Sequence, residues 1–171
     1  TTIKRLFKAF FITNEYLDSD LLPYKIKLND EYTLHYSSDL NIESVIKGDC
    51  AVHLLGYALN SQKNKPYVSL LTKVINEPIT SELDSVNYLN GAFVLIKVSS
   101  EGVELFSDAA GFRSPYYSKD LKKVSSHDVL FEEFYDYNKY CDRNSNLDYS
   151  RYNEVYKLVP SLKLKVGVDI E

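Results

Sequence analysis

The side chains that most often bind metals or act as nucleophiles are few in this sequence and stand far apart. The two cysteines, Cys50 and Cys141, form no Cys-x-x-Cys motif, and His35, His53 and His127 occur singly. Zinc sites and Cys–His catalytic pairs are recognised by characteristic spacings of these residues, and those spacings are absent. The sequence therefore predicts no metal site, and it favours two free thiols in a cytosolic chain over one disulfide.

The motifs of phosphate binding and serine hydrolysis are absent as well. The chain has six glycines and no G-x-x-x-x-G-K-[ST], G-x-G-x-x-G or G-x-S-x-G segment, so neither a nucleotide cofactor nor a serine hydrolase is expected. Glu132 and Glu133 are adjacent carboxylates, but neighbours in sequence point to different sides of a strand or helix. We interpret them as a solvated acidic surface rather than an acid/base pair. No cofactor is predicted.

Length and composition indicate one domain over residues 1–171. The chain has 171 residues, of which 44% are hydrophobic and 26% charged, and a chain of this length buries about 70% of the surface that it exposes when unfolded. No apolar run of about 18 residues could span a membrane, and a formal net charge of −4 without a basic cluster disfavours nucleic-acid binding. We expect a cytoplasmic domain that contacts neither membrane nor nucleic acid. The lack of methionine predicts that the chain is processed or belongs to a longer one.

The hydrophobic pattern predicts strands with two helices between them. Strict alternation over 24–28 and 32–36 around a turn pair predicts a hairpin, and the apolar run 50–58 predicts a central strand buried on both faces. Apolar residues at helical spacing over 67–75 predict a helix, and 81–89 predicts a second, shorter one. Further strands are predicted over 5–13, 92–98, 103–107, 116–118, 123–126 and 162–166. The expected fold class is α+β, with layered antiparallel β-sheets and two central helices.

Three segments carry the information on function: LNGAFV (89–94), LFSDAAGFRSPYY (105–117) and VSSH (124–127). In order and spacing they resemble the glutaminase domain of class II glutamine amidotransferases of the asparagine-synthetase type. That family has leucine-x-glycine-x-phenylalanine, a hairpin ending in arginine-aspartate, then glycine, a basic residue, proline and two tyrosines, and then valine-x-serine. GYALN (56–60) and LVPS (158–161) extend the resemblance to roughly residues 50–165. It implies the layered sandwich of N-terminal-nucleophile hydrolases.

Several motif residues have a structural explanation that needs no catalysis. Gly91 and Gly111 are expected at turns that need an unusual φ or a close backbone approach. Asp108 is expected to hold its turn by accepting backbone N–H groups. For Asp108 and Arg113 we favour such a structural role over ligand binding.

The catalytic positions that the resemblance implies are largely missing. The family uses an amino-terminal cysteine, and this sequence begins with Thr1; Leu55 stands where the asparagine of the oxyanion hole is expected, and Lys65 stands with a proline where an aspartate should hold the substrate amine. Only Gly56 and Asn60 of that set are present. Two alternative nucleophiles are Thr1 itself and Cys50, exposed by cleavage before it, and for both a non-catalytic interpretation is favoured.

The resemblance therefore implies a catalytically degenerate glutaminase-like domain. Related enzymes that have lost ammonia chemistry, such as β-lactam synthetases and lasso-peptide cyclases, keep such a domain as a structural platform beside an ATP-using domain. The expected parent is an asparagine-synthetase-like amide-forming enzyme whose amino-terminal part is this chain. The chain alone lacks that enzyme's serine-glycine-glycine-x-aspartate-serine loop, so we do not expect it to be an enzyme by itself.

A second hypothesis rests on the 15 tyrosines, which suit a stand-alone binding module for a protein or carbohydrate partner. A related prediction concerns the aromatic and acidic segment after position 128, which resembles the anchors and rim of an interface. Its aromatic residues are expected to form a docking surface for a synthetase domain or another protein partner; they are Phe131, Phe134, Tyr135, Tyr137 and Tyr140. The alternative is that these rings cap the core.

Overall fold

The computed structural model of the chain describes residues 6–60, 67–76, 89–108, 113–138, 152–160 and 162–171. Contacts divide the chain into two compact units: unit 1 comprises Thr1–Leu40 and Pro115–Leu158, and unit 2 comprises Asn41–Ser114 and Val159–Glu171. Each unit contains one six-stranded sheet in which neighbouring strands are antiparallel. The predicted α+β class with antiparallel sheets is confirmed in this coarse form.

The described elements, in chain order, are β1 (Phe10–Thr13), β2 (Tyr24–Lys27), β3 (Thr33–Tyr36), β4 (Ile42–Lys47), β5 (Cys50–Asn60), α1 (Tyr67–Asn76), β6 (Leu89–Ser99), β7 (Gly102–Ser107), β8 (Tyr116–Ser118), β9 (Val124–Ser125), α2 (Val129–Tyr135), β10 (Val155–Lys157), β11 (Lys163–Lys165) and β12 (Asp169–Ile170).

The sheet of unit 1 has the strand order β10-β8-β9-β1-β3-β2. It contains the predicted hairpin, in which Ile26 of β2 lies opposite Leu34 of β3. Asn29 Oδ1 accepts the backbone N–H groups of Glu31 and Tyr32 at 2.9 and 2.7 Å. An asparagine that bonds the backbone of the following residues stabilises a turn locally, which is why this hairpin could be predicted from neighbouring residues.

An aromatic cluster between β1 and α2 forms the core of unit 1. The Phe11 ring lies edge to face with the rings of Phe131 and Phe134, at centroid distances of 5.3 and 5.4 Å, and it stacks on Tyr135 at 5.7 Å. Phe11 and Phe131 are fully buried. Aromatic pairs in these arrangements stabilise by about 0.5–1.5 kcal/mol beyond the area that they bury.

This packing corrects part of the predicted docking surface. Phe131 is not available to a partner, because it lies on the side of α2 that faces Phe11 and is 0% exposed. Phe134, Tyr135 and Tyr137 are half-buried against the same cluster, which agrees with the alternative that the rings cap the core. Tyr140 lies outside the described residues.

The sheet of unit 2 has the order β12-β11-β7-β6-β5-β4 and is built on the long β5–β6 pair. The strand predicted over 50–58 is confirmed as β5, an interior strand between β4 and β6. Residues 52–56 are buried on both faces, with Leu54 on one side and Leu55 on the other, whereas Tyr57 and Leu59 nearer the end of the strand are exposed. A strand that is buried on both faces has a continuous run of apolar residues in its sequence, and β5 has such a run.

Helix α1 covers one face of this sheet and confirms the helix predicted over 67–75. Leu71 and Val74 are fully buried and form one apolar cluster with Val52 and Leu54 of β5. Lys97 of β6 is 7% exposed, and its Nζ donates to the carbonyl oxygen of Val74 at 2.9 Å. That carbonyl is among the last four of the helix, which have no partner within it. The lysine therefore ties the end of α1 to the sheet.

Two predictions about the approach to β6 need correction. The second helix, over 81–89, lies outside the described residues except for Leu89, which begins β6 and is not helical. Gly91 lies within β6 and not at a turn, although its backbone is unusual, as expected, with φ of +147°. Gly111 lies outside the described residues.

Gly91 and Gly56 mark a close approach of the β5 and β6 backbones. Gly56 has φ of +103°, and a Cβ atom built on it would overlap the carbonyl oxygen of Ala92. A Cβ atom on Gly91 would overlap the carbonyl oxygen of Tyr57. Because the obstructing atoms are backbone within a paired sheet, they cannot rotate away as a side chain would. Both positions therefore require glycine.

Substituting these glycines should show how much of the loss in the free energy of unfolding comes from steric overlap and how much from backbone strain. Gly102 also has a positive φ, +111°, but no atom lies within 4 Å of the position that a Cβ atom would occupy there, so Gly102→Ala should cost only about 1 kcal/mol of strain. Gly56→Ala and Gly91→Ala should each cost about 3 kcal/mol or more, because overlap adds to strain. Urea unfolding of the three variants measures the difference. Equal losses in all three would contradict the close approach.

Candidate functional site

Asp108, at the end of β7, organises the motif residues of unit 2. It is 2% exposed, and its Oδ2 accepts the backbone N–H groups of Phe93 at 3.3 Å and Arg113 at 3.0 Å. The backbone N–H of Asp108 itself donates to the carbonyl oxygen of Phe93 at 3.1 Å. One carboxylate thus joins β6, the end of β7 and the start of the segment before β8, which is the structural role that the sequence predicted for it.

Gly56 lies in the same region and has no free backbone donor. Its N–H donates to the carbonyl oxygen of Asn41 at 2.8 Å, and Asn41 Nδ2 donates to the carbonyl oxygen of Gly56 at 3.2 Å. The half-buried Arg113 lies over it, with Nε 3.4 Å from the position that a Cβ atom on Gly56 would occupy. The space left by the missing side chain is therefore bordered by Arg113.

Leu55, immediately before Gly56, is fully buried. It lies opposite Ile42 of β4 and Val94 of β6. An apolar residue at this interior position packs well between its neighbours, and it offers no hydrogen-bond donor to a ligand.

Of the remaining residues singled out from the sequence, the described Cys50 and Asn60 are not brought together. Cys50 is a half-buried free thiol at the start of β5, opposite Lys47, and packs against the apolar cluster beneath α1. Asn60 ends β5, where its backbone pairs with that of Leu89. Cys50 and Asn60 are thus at opposite ends of one strand, and Thr1 lies outside the described residues.

A serine–histidine pair on β4 and β5 was not predicted. Ser44 Oγ lies 2.7 Å from His53 Nδ1, because the two residues are directly opposite in the strand register. Burial lowers the pKa of His53 below the ordinary 6.5, so the ring is neutral at neutral pH. Among the described residues no carboxylate hydrogen-bonds to this histidine in the way that the orienting member of a catalytic triad would. Only the β4–β5 register, which sequence reasoning did not assign, could have revealed it.

The described residues contain no cluster suited to metal coordination. Within them, no group of three or more His, Cys, Asp or Glu side chains is arranged to hold a metal ion. None of the described helices has the length and apolar character needed to cross a membrane.

No protein-family model matches the chain, and no curated protein matches it either. The likeness to amidotransferase glutaminase domains therefore consists of the order of short motifs.

Removing the Asp108 carboxylate should destabilise unit 2 without any ligand being involved. Asp108→Ala leaves the N–H groups of Phe93 and Arg113 without this acceptor, and losing a buried partner costs about 1–3 kcal/mol for each such group. Asp108→Asn keeps one acceptor oxygen and should therefore lower the free energy of unfolding less than Asp108→Ala does. Asp30→Ala is the control, since that carboxylate is fully exposed and its partner among the described residues is Lys27, across a surface turn. Unfolding midpoints that are the same for Asp108→Ala and Asp30→Ala would refute this role.

Proposed function

We propose that this chain is a catalytically degenerate glutaminase-like domain that serves as a structural or docking platform. Its fold would be the layered sandwich of N-terminal-nucleophile hydrolases. Antiparallel sheets with flanking helices are the general features of that sandwich. Its parent would be an asparagine-synthetase-like enzyme that forms amides with ATP in a separate domain.

The environment of Gly56 carries this proposal. A glutaminase needs hydrogen-bond donors aimed at the oxyanion that forms when the amide is attacked. Here the N–H of Gly56 is already bonded to Asn41, and Leu55 is fully buried and apolar. Neither residue can donate a hydrogen bond to a reacting carbonyl unless the hydrogen bonds at the start of the β4–β5 pair are broken. The motif therefore supports the fold and not the reaction.

The available thiol does not compensate for this loss. Cys50 lies within the chain, where its backbone takes part in the β4–β5 pairing with Lys47. In the described part of the chain its sulfur has no hydrogen bond to a histidine, which could act as the base that activates a thiol. Cys50 is accordingly assigned to packing beneath α1.

The purified chain is expected to release no ammonia from glutamine above the rate without protein, because the oxyanion donors are engaged or replaced. A coupled ammonia assay with millimolar glutamine measures this, with Thr1→Ala and Cys50→Ala as companion variants. Turnover that either substitution abolishes would overturn the assignment and identify the nucleophile.

The parent enzyme can be tested at the level of the gene. The reading frame is expected to continue past Glu171 into a segment with the serine-glycine-glycine-x-aspartate-serine loop of a synthetase domain. Sequencing the full-length transcript decides this. A stop codon directly after Glu171 would contradict the platform proposal and favour a stand-alone binding module.

A further inference from the structure

An open cavity of about 610 Å³ lies in unit 1, where the chain leaves α2 and where it enters β10. Among the described residues, three tyrosines, two carboxylates and two carboxamides line it. Small-ligand sites typically have volumes of about 300–1,000 Å³. The cavity is thus large enough for a ligand, and its lining combines aromatic rings with hydrogen-bonding groups.

The aromatic rings of this cavity are held in place by contacts outside it. The Tyr135 hydroxyl lies 3.0 Å from Thr13 Oγ1, and the Tyr137 ring packs edge to face against a buried phenylalanine of α2 at 5.2 Å. The Tyr156 ring stacks on Tyr117 at 5.7 Å and remains 36% exposed. Rings that are already fixed lose little conformational entropy when a ligand covers them.

The polar groups come from two segments that are joined by a backbone hydrogen bond. Asp136 and Asn138 follow α2, Asn153 and Glu154 precede β10, and the N–H of Asn153 donates to the carbonyl oxygen of Asn138 at 2.8 Å. Carboxylate oxygens accept hydrogen bonds from hydroxyl groups, and carboxamides both donate and accept. This set matches a ligand that carries several hydroxyl groups.

The charges around the cavity disfavour ionic ligands. Its two carboxylates repel anions such as phosphate or nucleic acid, and none of the seven described lining residues is a cation. Lys119 Nζ lies 3.6 Å from Glu154 Oε1 and offsets part of the negative charge that would attract a cation. A neutral ligand fits these surroundings better than a charged one of either sign.

We propose that this cavity binds a neutral saccharide. The C–H face of a sugar ring packs on an exposed aromatic ring such as Tyr156, while its hydroxyl groups bond to the carboxylates and carboxamides around it. The site is independent of the Gly56 region, since it lies in unit 1 and uses none of the amidotransferase-like residues of unit 2. Its Tyr135 and Tyr137 also belong to the aromatic segment expected to dock a partner, so a saccharide would occupy part of that surface.

The proposal is tested by binding the chain to an array of immobilised neutral oligosaccharides, followed by titration with the one bound most strongly. Tyr156→Ala and Glu154→Gln should each weaken its binding about tenfold, as expected for the loss of an aromatic contact or a charge-assisted hydrogen bond. The matched control is Tyr24→Ala. Tyr24 is also exposed and stacks on Tyr36 at 5.6 Å with nearly the same interplanar angle, but it does not line the cavity.

Binding that is lost in the two cavity variants and retained in Tyr24→Ala supports the site, provided that thermal midpoints show all three variants to be folded. Absence of binding to every neutral oligosaccharide overturns the proposal, as does binding that is equal in cavity and control variants. Spermidine serves as a cationic probe. The proposal would also be overturned if no saccharide binds and spermidine binds at the cavity instead, with an affinity that falls when salt is added and in Glu154→Gln.

Discussion

The close approach of β5 and β6 at Gly56 and Gly91 is the constraint on which unit 2 depends. A side chain at either position would overlap a carbonyl oxygen of the neighbouring strand, so the pairing exists only because both residues lack a Cβ atom. The carboxylate of Asp108 accepts a hydrogen bond from the N–H of Phe93. Phe93 lies opposite Gly56 in the β5–β6 pair. The carboxylate that bonds the N–H of Arg113 thus lies beside the strand pair at Gly56.

The same contacts leave the backbone donors of this region engaged within the chain. Catalysis needs donors that are unpaired in the resting state and aimed at the charge that develops during reaction. In this region the N–H groups of Gly56, Phe93 and Arg113 all bond to the chain itself. Donors engaged in this way stabilise the fold, and they become available to a substrate only at the cost of those hydrogen bonds.

Elements that depend on local interactions can be predicted from the sequence, whereas elements that depend on contacts between distant residues cannot. The β2–β3 hairpin and α1 depend on alternation, helical spacing and an asparagine that bonds its own turn, and all of these signals are local. The helix Val129–Tyr135 was missed because its aromatic residues also favour strands, and Phe11, distant in sequence, decides which face they present. Phe131 was wrongly expected on the surface for the same reason.

Local patterns in the sequence encode the α+β class, the positions of most strands, the need for glycine at position 91 and the role of Asp108 as an acceptor of backbone N–H groups. Each of these depends on the period or type of neighbouring residues. Contacts between distant residues depend instead on the complete fold: Arg113 borders the space over Gly56, Ser44 lies against His53, and Tyr135, Asp136 and Tyr137 share a cavity with Asn153 and Glu154. Those contacts join residues through strand register and packing between segments. Register and packing are set by the whole fold, and no local pattern of residues encodes them.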